Sequence, residues 1–263
     1  MLLAAAYLHM PARRLRALAR GEDPALLEWL ESENAHTVAH ARHRARAAMG
    51  RLHELDACIV AMNDHEYPRA LRDLDDPPPF LCIRGTLCAT GIAIVGSRTA
   101  PEEACAFAYE LARRSGECVI SGLAAGIDAA AHRGALAGGM QTIAYVATGL
   151  GVTYPAHHAA LEEEIVRHGG AVASERLPDE PATKWAFAHR DRLQAAHARA
   201  TVLLASESNG GAMQTLRFAK ALGRRRFVLQ KFDGSAYAGN ALARADGAAV
   251  LPFDVDKAAA RLA

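Results

Sequence analysis

The sequence predicts an α/β protein: a mostly parallel sheet with helices on both faces, preceded by a small all-helical region. Three observations carry this. From Ile92 onward, short apolar runs recur between amphipathic stretches of roughly 10–14 residues, the alternation expected of βαβ units. The runs are continuous in apolar character rather than alternating, as strands buried on both faces are. Before residue 56, leucine and alanine recur at helical spacing instead.

In chain order, residues 1–56 read as the small helical region, with Gly21 and Asp23-Pro24 as punctuation. Residues 57–263 form the α/β unit. It begins with "DACIVAMNDHEYPRALRDLDDPPPFLCIRG": a strand, a Tyr67-Pro68 turn, a short helix, a break at Asp76-Pro77-Pro78-Pro79 and another strand. Strand-like runs follow at 92–95, 118–121, 142–147, 171–174, 201–205 and 226–230.

Composition limits the classes of function. A chain of 263 residues with 51% hydrophobic residues holds one large α/β domain, or a medium domain with a smaller one. Abundant alanine and only 6% aromatics favour helices packed closely through small side chains. The net charge of +1 excludes a globally basic nucleic-acid binder, but not a local basic face, and the first 51 residues carry eight arginines against five acids. Cys58, Cys82, Cys88, Cys105 and Cys118 lack CxxC spacing and sit mostly in apolar runs, as buried thiols do. The opening "MLLAAAYLHM" has no basic lead-in or cleavage site, and no apolar run is long enough to cross a membrane. A cytoplasmic protein without a membrane partner is expected.

In a parallel sheet, ligands bind beyond the carboxyl ends of the strands. Here those ends read Gly96-Ser97-Arg98, Ser121-Gly122 through Gly126, Thr148-Gly149, Ser174-Glu175, and Ser206 through Gly210-Gly211. Glycines let a ligand approach the main chain, and the amides opening the next helix favour an anion. Arg98 adds a planar donor fork suited to phosphate. Folding alone explains any one such turn; five on one sheet edge, one with an arginine, indicate a phosphate-bearing ligand. No P-loop run occurs, and "GSRTAP" and "SGLAAG" lack the dinucleotide fingerprint and its ribose-binding acid, so no cofactor is expected.

Catalytic chemistry is not indicated. Asp128 and His132 lie four apart on one helix face, which suits an acid–base pair but better suits a helix-stabilising polar pair. His157-His158 lacks the cysteine or carboxylate company of a zinc site and reads as surface imidazoles. Trp185 is either a stacking platform or a core anchor. A non-enzyme without a metal is expected.

The stretches "DHEYPRALRDLDDPPPFLCIRG", "IAIVGSRTA", "VISGLAAGIDAAAHRGAL", "TIAYVATGLGVTYP", "FAHRDR" and "GNALARADGAAVLPFD" stand in the order and spacing of the DNA-processing protein A (DprA/Smf) family, which this chain resembles over about residues 58–253. The resemblance implies an extended Rossmann-like fold and a homodimer that binds single-stranded DNA without cutting it. It further implies protection of single strands and loading of the recombinase RecA during natural transformation. Carried over by position, Gly96, Ser97 and Arg98 belong to the phosphate pocket, with Ser121, Gly122, Gly126 and Asp128. Arg190 and Arg192 are candidate backbone contacts, Lys184 stands beside them, and Gly210 and Gly211 form the last glycine turn.

This chain departs from the family pattern at the same edge. Ala125 replaces an arginine, Ala188 and Asp191 replace a proline and an asparagine, and "SNGGAMQT" replaces a Ser-Gly-Ser/Ala-Leu-x-Thr-Ala turn. Asp191 between two arginines lowers the local positive potential. These changes suit a second reading, a sensor of a nucleotide derivative on the same fold. A third, hydrolysis of nucleoside monophosphates, requires an acid soon after Thr215, where the chain reads "LRFAK". "KALGRRRF" places Lys220, Arg224, Arg225 and Arg226 at the opposite, amino end of a strand, as a solvated basic edge. The first 56 residues read as a degenerate form of the helical domain many members carry, or as a dimer or partner surface.

Overall fold

The computed structural model describes residues 2–8, 10–22, 29 and 33–263; the Asp23-Pro24 punctuation lies outside them. Helices α1 (Leu2–Tyr7), α2 (Ala12–Ala19) and α3 (Ala35–Glu54) come first. The Asn34 side chain caps α3 by accepting from the His36 amide at 2.9 Å. The helix buries Val38, Ala41, Ala48 and Leu52, one stripe at helical spacing.

A single nine-stranded sheet follows, in the order β1-β2-β6-β5-β4-β3-β7-β8-β9. Its strands are β1 (Ala57–Ala61), β2 (Phe80–Gly85), β3 (Gly91–Val95), β4 (Val119–Ser121), β5 (Thr142–Tyr145), β6 (Ala171–Ser174), β7 (Ala198–Leu203), β8 (Arg225–Leu229) and β9 (Ala249–Leu251). β3 to β9 run parallel, while β1 and β2 add an antiparallel hairpin against β6. The α/β class and mostly parallel sheet expected from the sequence are present. One strand, β9, goes beyond the runs read from the sequence: with three residues it is too short to stand out by pattern. The run at 142–147 ends as a strand at Tyr145.

The connecting helices are α4 (Glu102–Arg114), α5 (Ile127–Ala137), α6 (Ala159–Arg167), α7 (Lys184–His197), α8 (Ala212–Ala221), α9 (Ala238–Ala245) and α10 (Val255–Leu262). Central strands β3 and β7 contribute Ile92, Ile94 and Val202, all fully buried, at about 1.5–3 kcal/mol per side chain removed from water. On one face α4 presents Ala104, Phe107, Ala108, Leu111 and Ala112, the spacing of an apolar helix stripe. Gly134 of α5 lets α4 approach: a Cβ there would lie 2.1 Å from the Tyr109 carbonyl oxygen.

Several side chains depart from the sequence reading or decide between its alternatives. His158 is buried, its Nδ1 2.7 Å from the Leu123 carbonyl oxygen, because the Tyr154-Pro155 turn folds it inward rather than to the surface. Trp185 is 60% exposed and stacks on His189 at 4.2 Å, so it anchors no core. The basic run leading into β8 is largely ion-paired: Lys220 and Arg226 meet Asp246, and Arg224 meets Asp73. Cys58 is exposed on the edge strand β1, while Cys82 is buried. Among the described residues, no helix is long and apolar enough to cross a membrane.

Candidate nucleic-acid interface

Strand order reverses at β3: β4, β5 and β6 continue to one side, β7, β8 and β9 to the other. At this switch point the loops leaving adjacent strands diverge and open a crevice. A cleft of about 690 Å³ lies there, lined by the loops after β3 and β7, the start of α8 and one side of α7.

The first wall is the turn after β3. The Ser97 amide donates to the Ala205 carbonyl at 2.8 Å, tying this turn to the end of β7. The Ser97 hydroxyl accepts from the Thr99 amide at 3.2 Å. Arg98 is exposed, with its guanidinium 4.7 Å from the centre of the Phe187 ring. It is a cation held over an aromatic face at the cleft mouth. The turn after β4 packs directly behind this one. Gly126 has φ +74°, and a Cβ there would lie 2.4 Å from the Ser97 carbonyl oxygen, so the two turns meet backbone to backbone. Of the second turn, Ala124 reaches the cleft lining, together with Asp128 from the helix it opens.

Asp128 explains why. Its Oδ2 accepts from the Gly122 amide at 3.1 Å and the Ala124 amide at 3.3 Å, so the protein's own carboxylate takes donors expected to serve a phosphate. Burial pushes the Asp128 carboxyl above its ordinary range, against the Arg190 charge and these hydrogen bonds. The Ser121 hydroxyl donates to the Ile94 carbonyl at 2.7 Å, inside the sheet. His132, also fully buried, has Nδ1 2.7 Å from Thr142 Oγ1, and burial pushes its pKa down to about 3. Asp128 and His132 therefore serve different partners and form no pair.

α7 supplies the floor. Thr183 caps it, its hydroxyl accepting from the Ala186 amide at 3.1 Å. Arg190 is buried: Nη1 donates to the Tyr145 carbonyl oxygen, and Nε lies 3.2 Å from Asp191 Oδ1. With its amide oxygen facing the guanidinium, Gln194 also accepts from Arg190 Nε and Nη1 at 3.1 and 2.8 Å. Arg190 occupies the space a Gly122 side chain would need; a Cβ there would lie 1.9 Å from its Nη1. Burial pushes the Asp191 carboxyl up to about 6 despite the Arg190 charge, and nearby Asp128 pushes the same way. The floor is thus one guanidinium between two carboxylates, most of its donors committed.

Arg192 points elsewhere. It is buried against Glu175, with Nη1 2.8 Å from Oε1 and Nη2 2.6 Å from Oε2, and also donates to the Asp76 carbonyl oxygen. Burial alone would raise Glu175, but hydrogen bonds from His189 and Arg192 outweigh it and hold its carboxyl at about 2.

The sequence-derived candidates divide accordingly. Gly96, Ser97, Arg98, Asp128, Lys184, Arg190, Gly210 and Gly211 line the cleft; Ser121, Gly122, Gly126 and Arg192 do not. Residues the sequence reading passed over are Arg217 and Gln214, which face the cleft with Gly211. Their three-residue spacing from Gly211 along α8 is the signal that could have found them. The accessible cations are Arg98, Lys184 and Arg217, with Glu207 an opposing charge. Aromatic surface adjoins them: Tyr154, 46% exposed, contacts Phe187 at 5.3 Å, and Trp185 follows Lys184. Among the described residues, no cluster of three or more histidine, cysteine or acidic side chains could hold a metal.

The chain is similar to Protein Smf of Synechocystis sp., 32% identical over 181 residues, which are 65% of this chain and 45% of that protein. It is 41% identical over 135 residues to a putative DNA processing protein DprA of Mycobacterium tuberculosis, covering 50% of this chain and 34% of that one. It therefore spans less than half the length of these relatives. The DprA structure from Streptococcus pneumoniae superposes with a TM-score of 0.75 at 22% identity, over 99% of this chain and 93% of that one. DprA from Helicobacter pylori, solved for its single-stranded DNA binding mode, superposes with a TM-score of 0.69 at 25% identity, over 78% of this chain and 95% of that one. With the family profile matching residues 58–262, through the sheet, the cleft and the closing helix, the chain belongs to the DNA recombination-mediator protein A family.

Proposed function

We propose that this chain is a non-catalytic single-stranded DNA-binding protein of the cytoplasm. In this reading it protects single strands, helps load the recombinase RecA onto them during DNA uptake, and acts as a homodimer. The unit that binds DNA is residues 57–263, with 1–56 an accessory helical region. Family membership supports the reading, as does the single-stranded DNA binding of the Helicobacter pylori relative.

The observation that carries it is Arg98 at the cleft mouth: an exposed guanidinium, held 4.7 Å over the Phe187 ring, that presents a donor fork to a phosphate. Lys184 and Arg217 extend the cationic rim, and Trp185 and Tyr154 extend the aromatic surface. Backbone contact by cations with stacking on rings binds single strands with little sequence preference. The floor grips little itself, since most donors of Arg190 are already held by protein groups.

The test is binding of a fluorescent oligothymidine at two salt concentrations, wild type beside Arg98→Ala. Affinity should rise steeply as salt falls, and the variant's salt slope should drop by about 0.7, the value for one lost single-strand phosphate contact. No binding at low salt, or displacement by an equal concentration of mononucleotide, refutes the proposal and leaves the small-nucleotide sensor.

A further inference from the structure

Among the described residues the buried acids are Asp128, Glu162 and Asp191. Asp128 accepts from the Gly122 and Ala124 amides, and Glu162 from the Thr153 hydroxyl at 2.8 Å. Asp191 accepts no hydrogen bond among these residues; its contact is the ion pair with Arg190, Nε to Oδ1 at 3.2 Å. That guanidinium is already shared with the Tyr145 carbonyl oxygen and Gln194. A buried carboxylate held by one shared cation is the least satisfied acid of the three.

Asp191 also lines the cleft. The charged groups around it are Arg190 and Lys184 on its own helix, Arg98 on the turn after β3, Asp128 on α5, Glu207 after β7 and Arg217 on α8. Burial pushes its carboxyl up to about 6 and Asp128 adds to the rise, against the Arg190 and Arg98 charges. A phosphate on Arg98 cancels one of those opposing charges and brings a negative charge into the same poorly solvated space. Both changes favour the neutral acid over the carboxylate. An ionised carboxylate only accepts hydrogen bonds, whereas the acid carries an O–H that donates.

We propose that Asp191 takes up a solvent proton when a phosphate enters the cleft, and that the acid then donates a hydrogen bond to a phosphate oxygen. The proposal rests on the cleft being a single-strand site, and it makes Asp191 the residue that sets how tightly that site holds its ligand at a given pH. A carboxyl titrating at about 6 is about 30-fold more ionised than neutral at about pH 7.5. A complex that takes only the acid form is therefore weakened by about 30-fold at that pH and hardly at all at about pH 5.

The test is binding of a fluorescent oligothymidine of about 30 nucleotides to the full chain, at about pH 5 and about pH 7.5 and one low salt concentration. Wild type is run beside Asp191→Asn, both shown folded by circular dichroism. Asparagine cannot ionise and keeps a donor, so it stands in for the acid form. The variant should bind as wild type does at about pH 5, and about tenfold to 30-fold more tightly at about pH 7.5. The 12 histidines gain charge over the same range in both proteins, so the difference between them isolates Asp191. An equal pH dependence in the two proteins overturns the inference and leaves the cleft reading intact, as does a variant that binds more weakly at the higher pH. If wild type binds at neither pH, the cleft reading falls and this inference with it.

Discussion

Replacing Asp191 by asparagine is expected to stabilise the protein at neutral pH and leave its stability unchanged in acid. Asp191 is 9% exposed, and burial drives its carboxyl from an ordinary 3.8 up to about 6, although Arg190 Nε is 3.2 Å away. Asp128 on the same floor adds to the rise. A rise of about two units, at about 1.4 kcal/mol each, makes ionised Asp191 cost the folded state about 3 kcal/mol. The folded pKa lies above the unfolded one, so this group favours folding below about pH 4, and the benefit is lost as pH rises through about 6. Asparagine cannot ionise and keeps an acceptor for Arg190. The variant's advantage should therefore be near zero at about pH 4 and grow to about 2–3 kcal/mol above about pH 7. Urea denaturation of both proteins at the two pH values measures it. A gain equal at both, or absent at the higher, would show that Asp191 is not a carboxylate ionised against its surroundings.

Two further outcomes follow from the same geometry. Arg192→Met leaves Glu175 buried without its guanidinium, and should cost about 3–5 kcal/mol; thermal unfolding checks it, and a loss below about 1 kcal/mol would mean Glu175 is held by His189 alone. Trp185 is exposed, so oligothymidine should quench the intrinsic fluorescence, and Trp185→Ala should remove the quench and weaken binding by about 1 kcal/mol or more. Quenching that persists in that variant would place the strand elsewhere.

Much of the fold was legible because the signal was local. A parallel strand buried on both faces must be a continuous apolar run, so 92–95 and 201–205 announce themselves without knowledge of their neighbours. Edge elements carry less signal: β9, with three residues, is held by its register on β8 rather than by its own pattern. The candidate site was legible in part for the same reason. Gly96-Ser97-Arg98 follows β3 directly and Gly210-Gly211 opens the helix after β7, and both lie at the carboxyl ends of parallel strands, which face the ligand edge. The α7 residues were not separable in sequence. Arg190 and Arg192 are two apart on a helix, about 200° around its axis, so one reaches the cleft floor while the other turns to Glu175.

What the sequence by itself determined is the order of strands and helices, the glycine turns at one edge and the arginine after the first. These depend on spacing and residue type along a single segment. Only the tertiary structure decided which turns remain open to a ligand. Asp128 folds back onto the Gly122 and Ala124 amides, and Arg190 occupies the space beside Gly122. Donors that look free in the chain are already taken, because leaving a buried donor without a partner costs about 1–3 kcal/mol. Which partner satisfies it depends on groups brought together from β4, β5, α5 and α7, which no single stretch of the chain contains.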